Sequence, residues 1–326
     1  MKILFIGSRK YDYLADLTYS GLIKVLGPEN MIELKWNPRY HIPYKTYPKN
    51  IPTSRKGIFN PLLTNKKKYD VVLVAAAKPD CFQAYLSIVS DIPADKPVVF
   101  IDGGDREEFG GDLERMGHPG LYEQSISLRP FDKIFKREFL KNTSYPENVY
   151  PLPLSVNYDR IPALRVQKKY QVAFWAVEGH PIRTRVLEML EDRFDCRENG
   201  THRNQEFKKY KRKGKFYLQE LAACTIGLSF RGGGWDTLRY WEIPAVGSFM
   251  ISQPLNIVIP DDFRSGEEIV FCKEDASDLI DLCTYYLNNS EKRENITARG
   301  AAYAREYHSD EARARYIMKI LTKTDN

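Results

Sequence analysis

From Ala223 to Ser252 the chain reads ACTIGLSFRGGGWDTLRYWEIPAVGSFMIS. The apolar run Thr225 to Phe230 is long enough for one buried strand, and Thr237 to Ala245 reads as a short helix before a second strand at Phe249 to Ser252. Arg231 and the glycines Gly232, Gly233 and Gly234 fall between strand and helix. Glycines there let backbone N–H groups approach a ligand that a Cβ would hold off, and the helix N-terminus beyond them favours an anion, above all a phosphate. Arg231 before the turn and Arg239 inside the helix add planar, charge-assisted donors. The competing reading is a glycine-rich surface turn beside an ordinary core helix, with Arg239 and Glu242, three residues apart, forming an ion pair.

A second place for chemistry is Asp102-Gly103-Gly104-Asp105, delivered at the carboxyl end of the strand Val98 to Ile101. Open α/β sheets place their ligands at such ends. The polar loop that follows, Arg106 to Gly120, carries His118. The bland alternative is an Asp-Gly turn in which Asp105 caps local backbone. Other chemistries lack their signatures. There is no HExxH and no clustered His/Cys set, no GxSxG elbow, and GSRKYD after the first strand is not the dinucleotide fingerprint GxGxxG.

The phrase GWDTLRYWEIPAVGSFMI resembles the donor-site segment of glycosyltransferases with the two-domain GT-B fold. It is most similar to the bacterial group that includes the CgeB-type spore-maturation proteins, and more loosely to exostosin-type enzymes. The resemblance implies transfer of a sugar from a nucleotide-diphosphate-sugar to a hydroxyl acceptor, without metal or other cofactor. It implies that Glu242, followed by Ala245 and Gly247, binds the donor ribose. Retaining relatives carry a second glutamate eight residues earlier, where this chain has Gly234. The remaining donor-side residues are Arg183, Arg231, Gly232, Gly233, Gly234, Trp235, Asp236, Thr237 and Arg239, with the arginines and loop N–H groups stabilising the departing diphosphate. Asp102, Asp105 and His118 are the candidates for the acceptor's base. Lys136-Arg137-Glu138 also recurs in that family.

Two domains must position these residues. In each half, strand-like runs alternate with helical ones, which predicts two parallel-sheet α/β domains. In the first half the strands are Lys2 to Ile6, Met31 to Leu34, Asp70 to Ala75, Val98 to Ile101 and Lys133 to Phe135. In the second they are Tyr170 to Ala176, Phe194 to Arg197, Thr225 to Phe230, Phe249 to Ser252, Ile257 to Ile259 and Ile269 to Phe271. Tyr150-Pro151-Leu152-Pro153-Leu154 has the composition of an interdomain linker. The resulting expectation is an N-terminal Rossmann-like domain over 1–155 on the acceptor side, joined by a C-terminal helix at 308–326, and a donor domain over 156–307. The resemblance implies that these face each other across a cleft, with the last helix packing back on the first domain. The long stretch Trp36 to Pro61, rich in proline, lysine and tyrosine, reads as an acceptor loop or as a decorative one.

The 326 residues, 43% hydrophobic, suffice for two cores. MKILFIGS is too short and too soon interrupted for a signal peptide, and no run approaches the ~20 apolar residues that cross a bilayer. Five scattered cysteines without CxxC spacing predict reduced thiols, a cytoplasmic setting and no zinc site. The net charge of +6 favours anionic ligands. The basic run Lys208 to Lys215 reads as a solvated face, or as a patch for peripheral contact with an anionic membrane or polymer. Three alternatives to the transferase stay open: a non-catalytic nucleotide-sugar or phosphate-binding protein, a nucleotide-sugar epimerase on the same scaffold, and a DNA-modifying glycosyltransferase.

Overall fold

A computed structural model describes residues 1–42, 45–49, 68–161, 166–205 and 212–323. Most of the Trp36 to Pro61 stretch and positions 208–211 of the basic run lie outside the described residues. The chain forms two compact units. The first comprises 1–157, 257–260 and 310–326, and the second 158–256 and 261–309.

In the first unit the strands are β1 (Ile3–Ile6), β2 (Met31–Glu33), β3 (Val71–Val74), β4 (Val98–Asp102), β5 (Lys133–Lys136) and β6 (Val149–Pro151). They form one parallel sheet in the order β2-β1-β3-β4-β5-β6. ILFI, VVLV and VVFID are buried throughout, as strands covered on both faces must be. Helices α1 (Tyr13–Leu26), α2 (Pro79–Leu86) and α3 (Leu121–Leu128) connect them. Asp12 starts α1 by accepting the Ala15 N–H at 3.0 Å, and Gly27 ends it at φ 83°.

The C-terminal helix, Asp310–Thr322, packs against α1 in this same unit. Asp310 fixes the junction: Lys24 Nζ lies 3.0 Å from its carboxylate, and the Ser20 hydroxyl donates to it. Gly21 is required there, since a Cβ would come 2.0 Å from the Asp310 carbonyl oxygen.

Two sequence expectations fail at the first unit. Tyr150 to Leu154 is not a linker: Val149–Pro151 is the edge strand β6, where proline is tolerated because no ladder N–H is needed, and Leu152 and Leu154 are buried. Ile257 to Ile259 is not a strand of the second sheet. Ile257 makes a single antiparallel bridge to Leu140, and the Val258 N–H donates to the Phe139 carbonyl at 2.8 Å, both within the first unit.

The second unit carries β7 (Tyr170–Ala173), β8 (Cys224–Ser229), β9 (Phe249–Ser252) and β10 (Val270–Phe271), parallel in the order β10-β9-β8-β7. Its helices include α4 (Pro181–Leu190), α5 (Gly214–Ala222), α6 (Leu238–Ala245), α7 (Leu279–Asn288) and α8 (Ser290–Tyr307). The expected strand at Phe194 to Arg197 is instead a turn, with Phe194 at φ 51°, leading into one helical turn over Cys196–Asn199. The core of this unit joins Val172, Phe174, Ile226, Leu228, Phe249 and Ile251 to Val186, Leu187 and Leu190 of α4. All five cysteines are buried and free.

Candidate anion and nucleotide site

Beyond the carboxyl edge of the second sheet, three strand ends and two helix starts converge. Arg183 lies in the first turn of α4. Its guanidinium reaches back to the carbonyls of Val177, at 3.0 Å, and Phe230, at 3.0 and 3.3 Å, tying the ends of β7 and β8 together. Arg239, the second residue of α6, donates to the Trp175 carbonyl at 2.5 Å and lies 5.5 Å over the Phe174 ring. Burial first, and the charge of Arg239 second, push Arg183 down to about 10, so it stays charged at neutral pH. Both arginines are half-buried. Among the described residues their hydrogen-bond partners are carbonyls, Arg239 also lies over the face of Phe174, and no carboxylate pairs with either.

The glycine loop serves this pair. Gly232 keeps an ordinary backbone, but a Cβ there would stand 3.0 Å from an Arg183 guanidinium nitrogen. Its own N–H is used inside the loop, donating to the Gly234 carbonyl at 3.0 Å. Arg231 lies 4.0 Å over the Trp235 ring, and its N–H donates to Gln253 Oε1, just after β9, at 3.1 Å. Thr237 occupies the N-cap of α6 without using its side chain as a cap. Asp236 is buried and accepts from the Trp241 indole at 2.7 Å, which places it in the support of the helix.

Glu242, 4% exposed, accepts from the Tyr217 hydroxyl at 2.8 Å. Burial first, and Glu242 second, hold the Tyr217 phenol well above its ordinary range, while Arg239 acts on it in the opposite direction. His180 is the N-cap of α4, with Nδ1 accepting from the Ile182 N–H at 3.3 Å. Burial, then the charges of Arg231 and Arg183, lower its pKa. Sequence reasoning missed Tyr217, His180 and Gln253. Each belongs to the site through contacts with residues distant in sequence or through capping, for which residue type alone gives no signal.

In the first unit, Asp102 and Asp105 sit on one loop but in different environments. Asp102 is 1% exposed; its carboxylate takes Lys136 Nζ at 3.0 Å and the Gly110 N–H at 3.3 Å. Burial raises its pKa against the opposing pull of Lys136. Lys136 also donates to the Arg106 carbonyl at 3.2 Å, so this pair staples the loop. Asp105 is half-exposed and paired with Arg137. His118 lines a cavity of about 330 Å³ with Phe109, Gly110, Glu114 and Tyr122, so Gly110 forms its wall and also contacts Asp102. Of the basic run, Arg212 is buried, stacked 3.8 Å from the Trp175 ring. Among the described residues no group of His, Cys, Asp or Glu is placed to hold a metal ion, and no helix is long and apolar enough to cross a membrane.

Comparison with known proteins bears on this arrangement. The model of the Glycosyl transferase-like family matches residues 179–319, which span the whole cationic cluster. The structure is similar to that of Anabaena Alr3699/HepE, solved with UDP and glucose, at TM-score 0.59 and 12% identity over 99% of this chain and 100% of that one. The fold is that of the GT-B glycosyltransferases. An α-glucosyltransferase solved with UDP and DNA matches at TM-score 0.60 and 12% identity over the same shares. A glycosyltransferase from Rickettsia africae matches at TM-score 0.53 and 12% identity over 99% of each chain. A search of curated protein sequences found no match.

Proposed function

We propose that this protein is a glycosyltransferase that moves a sugar from a nucleotide-diphosphate-sugar to a hydroxyl acceptor, with no metal required. The observation that carries the reading is the Arg183–Arg239 pair. Two half-buried guanidiniums, with the charge of Arg239 helping to lower the pKa of Arg183, that lack a carboxylate partner among the described residues form a site built for an anion. A diphosphate supplies that charge when bound, and the same donors stabilise it more strongly as it departs. Glu242, on the same helix as Arg239 and hydrogen-bonded by Tyr217 of α5, takes the nucleotide's ribose. UDP is the nucleotide to test first, because two of the structural neighbours are bound to it.

For the acceptor's base, Asp105 is favoured over Asp102. Asp102 is occupied by Lys136 and closed off, whereas half of Asp105 remains exposed. His118, on the rim of its cavity, is the third candidate.

The test is nucleotide release from UDP-glucose, GDP-mannose and dTDP-glucose in chelator, with pooled sugar, lipid and duplex-DNA acceptors. The reading predicts release of one nucleotide, faster with one acceptor class. Binding without release supports a non-catalytic protein, and sugar isomerisation without release supports an epimerase. Either outcome contradicts the transferase.

A further inference from the structure

Gln253 follows β9 at the carboxyl end of the second sheet, where open α/β sheets receive their ligands. It is 4% exposed, and its backbone N–H donates to the carbonyl of Ser229, the last residue of β8, at 3.3 Å. Its side-chain Oε1 accepts the Arg231 N–H at 3.1 Å, at the entrance to the glycine loop. That bond fixes the amide: the oxygen is turned to the backbone and the NH2 group away from it. Nε2 meets no hydrogen-bond acceptor among the described residues and is not sealed off. A donor on so buried a side chain is costly to leave unpaired, so it takes its acceptor from what enters the site. The carbonyl of the same peptide unit, that of Phe230, is held by the Arg183 guanidinium at 3.0 Å. The C=O and N–H of a trans peptide point opposite ways, so Arg183 and Gln253 grip the Phe230–Arg231 peptide from its two sides.

We propose that Gln253 is a further donor-binding residue, whose Nε2 donates to an oxygen of the nucleotide's diphosphate while Oε1 holds the glycine loop in place. The inference rests on the nucleotide-sugar reading above. A phosphate oxygen suits this amide because it only accepts, and the outward end of the amide only donates. A diphosphate also carries acceptor oxygens far enough apart to meet donors on both sides of the peptide. A purely structural glutamine behaves differently, since only its Oε1 matters. Glutamate in its place still accepts the Arg231 N–H but turns a carboxylate oxygen outward. Methionine fills a similar volume and makes neither bond.

The experiment compares wild type with Gln253→Glu and Gln253→Met by calorimetric titration with UDP and with UDP-glucose, no acceptor being present, alongside thermal unfolding. Gln253→Glu is expected to keep or raise the Tm, yet to bind both ligands more than about tenfold more weakly, the loss of a hydrogen bond to a charged group. Gln253→Met is expected to lose about tenfold for both. Wild-type affinity in Gln253→Glu means that only Oε1 matters, and a loss confined to UDP-glucose means that the contact is to the sugar. A loss in Gln253→Glu with none in Gln253→Met means repulsion at a distance, without a hydrogen bond. Each of these overturns the inference and leaves the transferase reading standing. Failure of the wild type to bind either ligand overturns the UDP reading itself, and this inference with it.

Discussion

Arg183 combines two roles that a substitution can separate. Its hydrogen bonds to the carbonyls of Val177 and Phe230 support the fold, while its burial beside Arg239 opposes it. Arg183→Met therefore changes Tm by only a few degrees, the lost bonds being offset by relief of like-charge burial. Nucleotide affinity falls about 10- to 100-fold, the worth of one or two hydrogen bonds to a charged group. Titration calorimetry and thermal unfolding of the same variant check both halves. His180 gives a pH test. Its lowered pKa means the folded state prefers the neutral ring. The stabilisation is full above about pH 6.5, where both states are neutral. It is lost as pH falls toward the folded-state value, because the unfolded chain takes up the proton first. His180→Asn keeps an N-cap acceptor and has no proton to gain. Its drop in Tm between pH 7.5 and 5.5 is expected to be smaller than that of wild type; equal drops contradict the assignment.

At the scale of elements, the loop after β4 is held by charge rather than by apolar packing alone. Lys136 is fully buried and joins Asp102 to the carbonyl of Arg106, while Lys78 bridges Asp112, at 2.5 Å, and Asp12, at 3.5 Å. Lys136→Met strands the Asp102 carboxylate, and removing one partner of a buried pair costs about 3–5 kcal/mol. Denaturant unfolding should show that loss; a cost below about 1 kcal/mol would mean the pair is not holding the loop. The strands of this sheet were legible because VVLV and VVFID are apolar throughout, and the strand–glycine–helix order around Arg231 was legible for the same reason. The Lys136–Asp102 pair was not, since 34 residues separate its members. Nor was β6, whose proline, with Pro153 just beyond it, read as part of a linker until the edge of the sheet supplied a place where proline costs nothing.

At the scale of the whole molecule, alternating strands and helices in each half gave the two α/β units, and the resemblance around Glu242 gave the expectation that the C-terminal helix packs on the first. The sequence did not reveal that residues 257–260 return to the first unit, because one bridge to Leu140 and one hydrogen bond to Phe139 leave no pattern in a four-residue stretch. The segment proposed to bind the donor was visible as a motif, but the chemistry proposed for it depends on Arg183, brought from α4 to the Gly232 loop across 49 residues of chain. The central claim is that this cluster holds a nucleotide diphosphate. Its most direct test is thermal unfolding of wild type and Arg183→Met with UDP-, GDP-, dTDP- and CMP-sugars, without added metal. Saturation to about 100 times Kd stabilises a protein by roughly 2.7 kcal/mol. The account predicts a clear rise in Tm with one nucleotide family, largely absent in Arg183→Met. No shift with any of the four at millimolar concentration, or the same shift in both proteins, would contradict it.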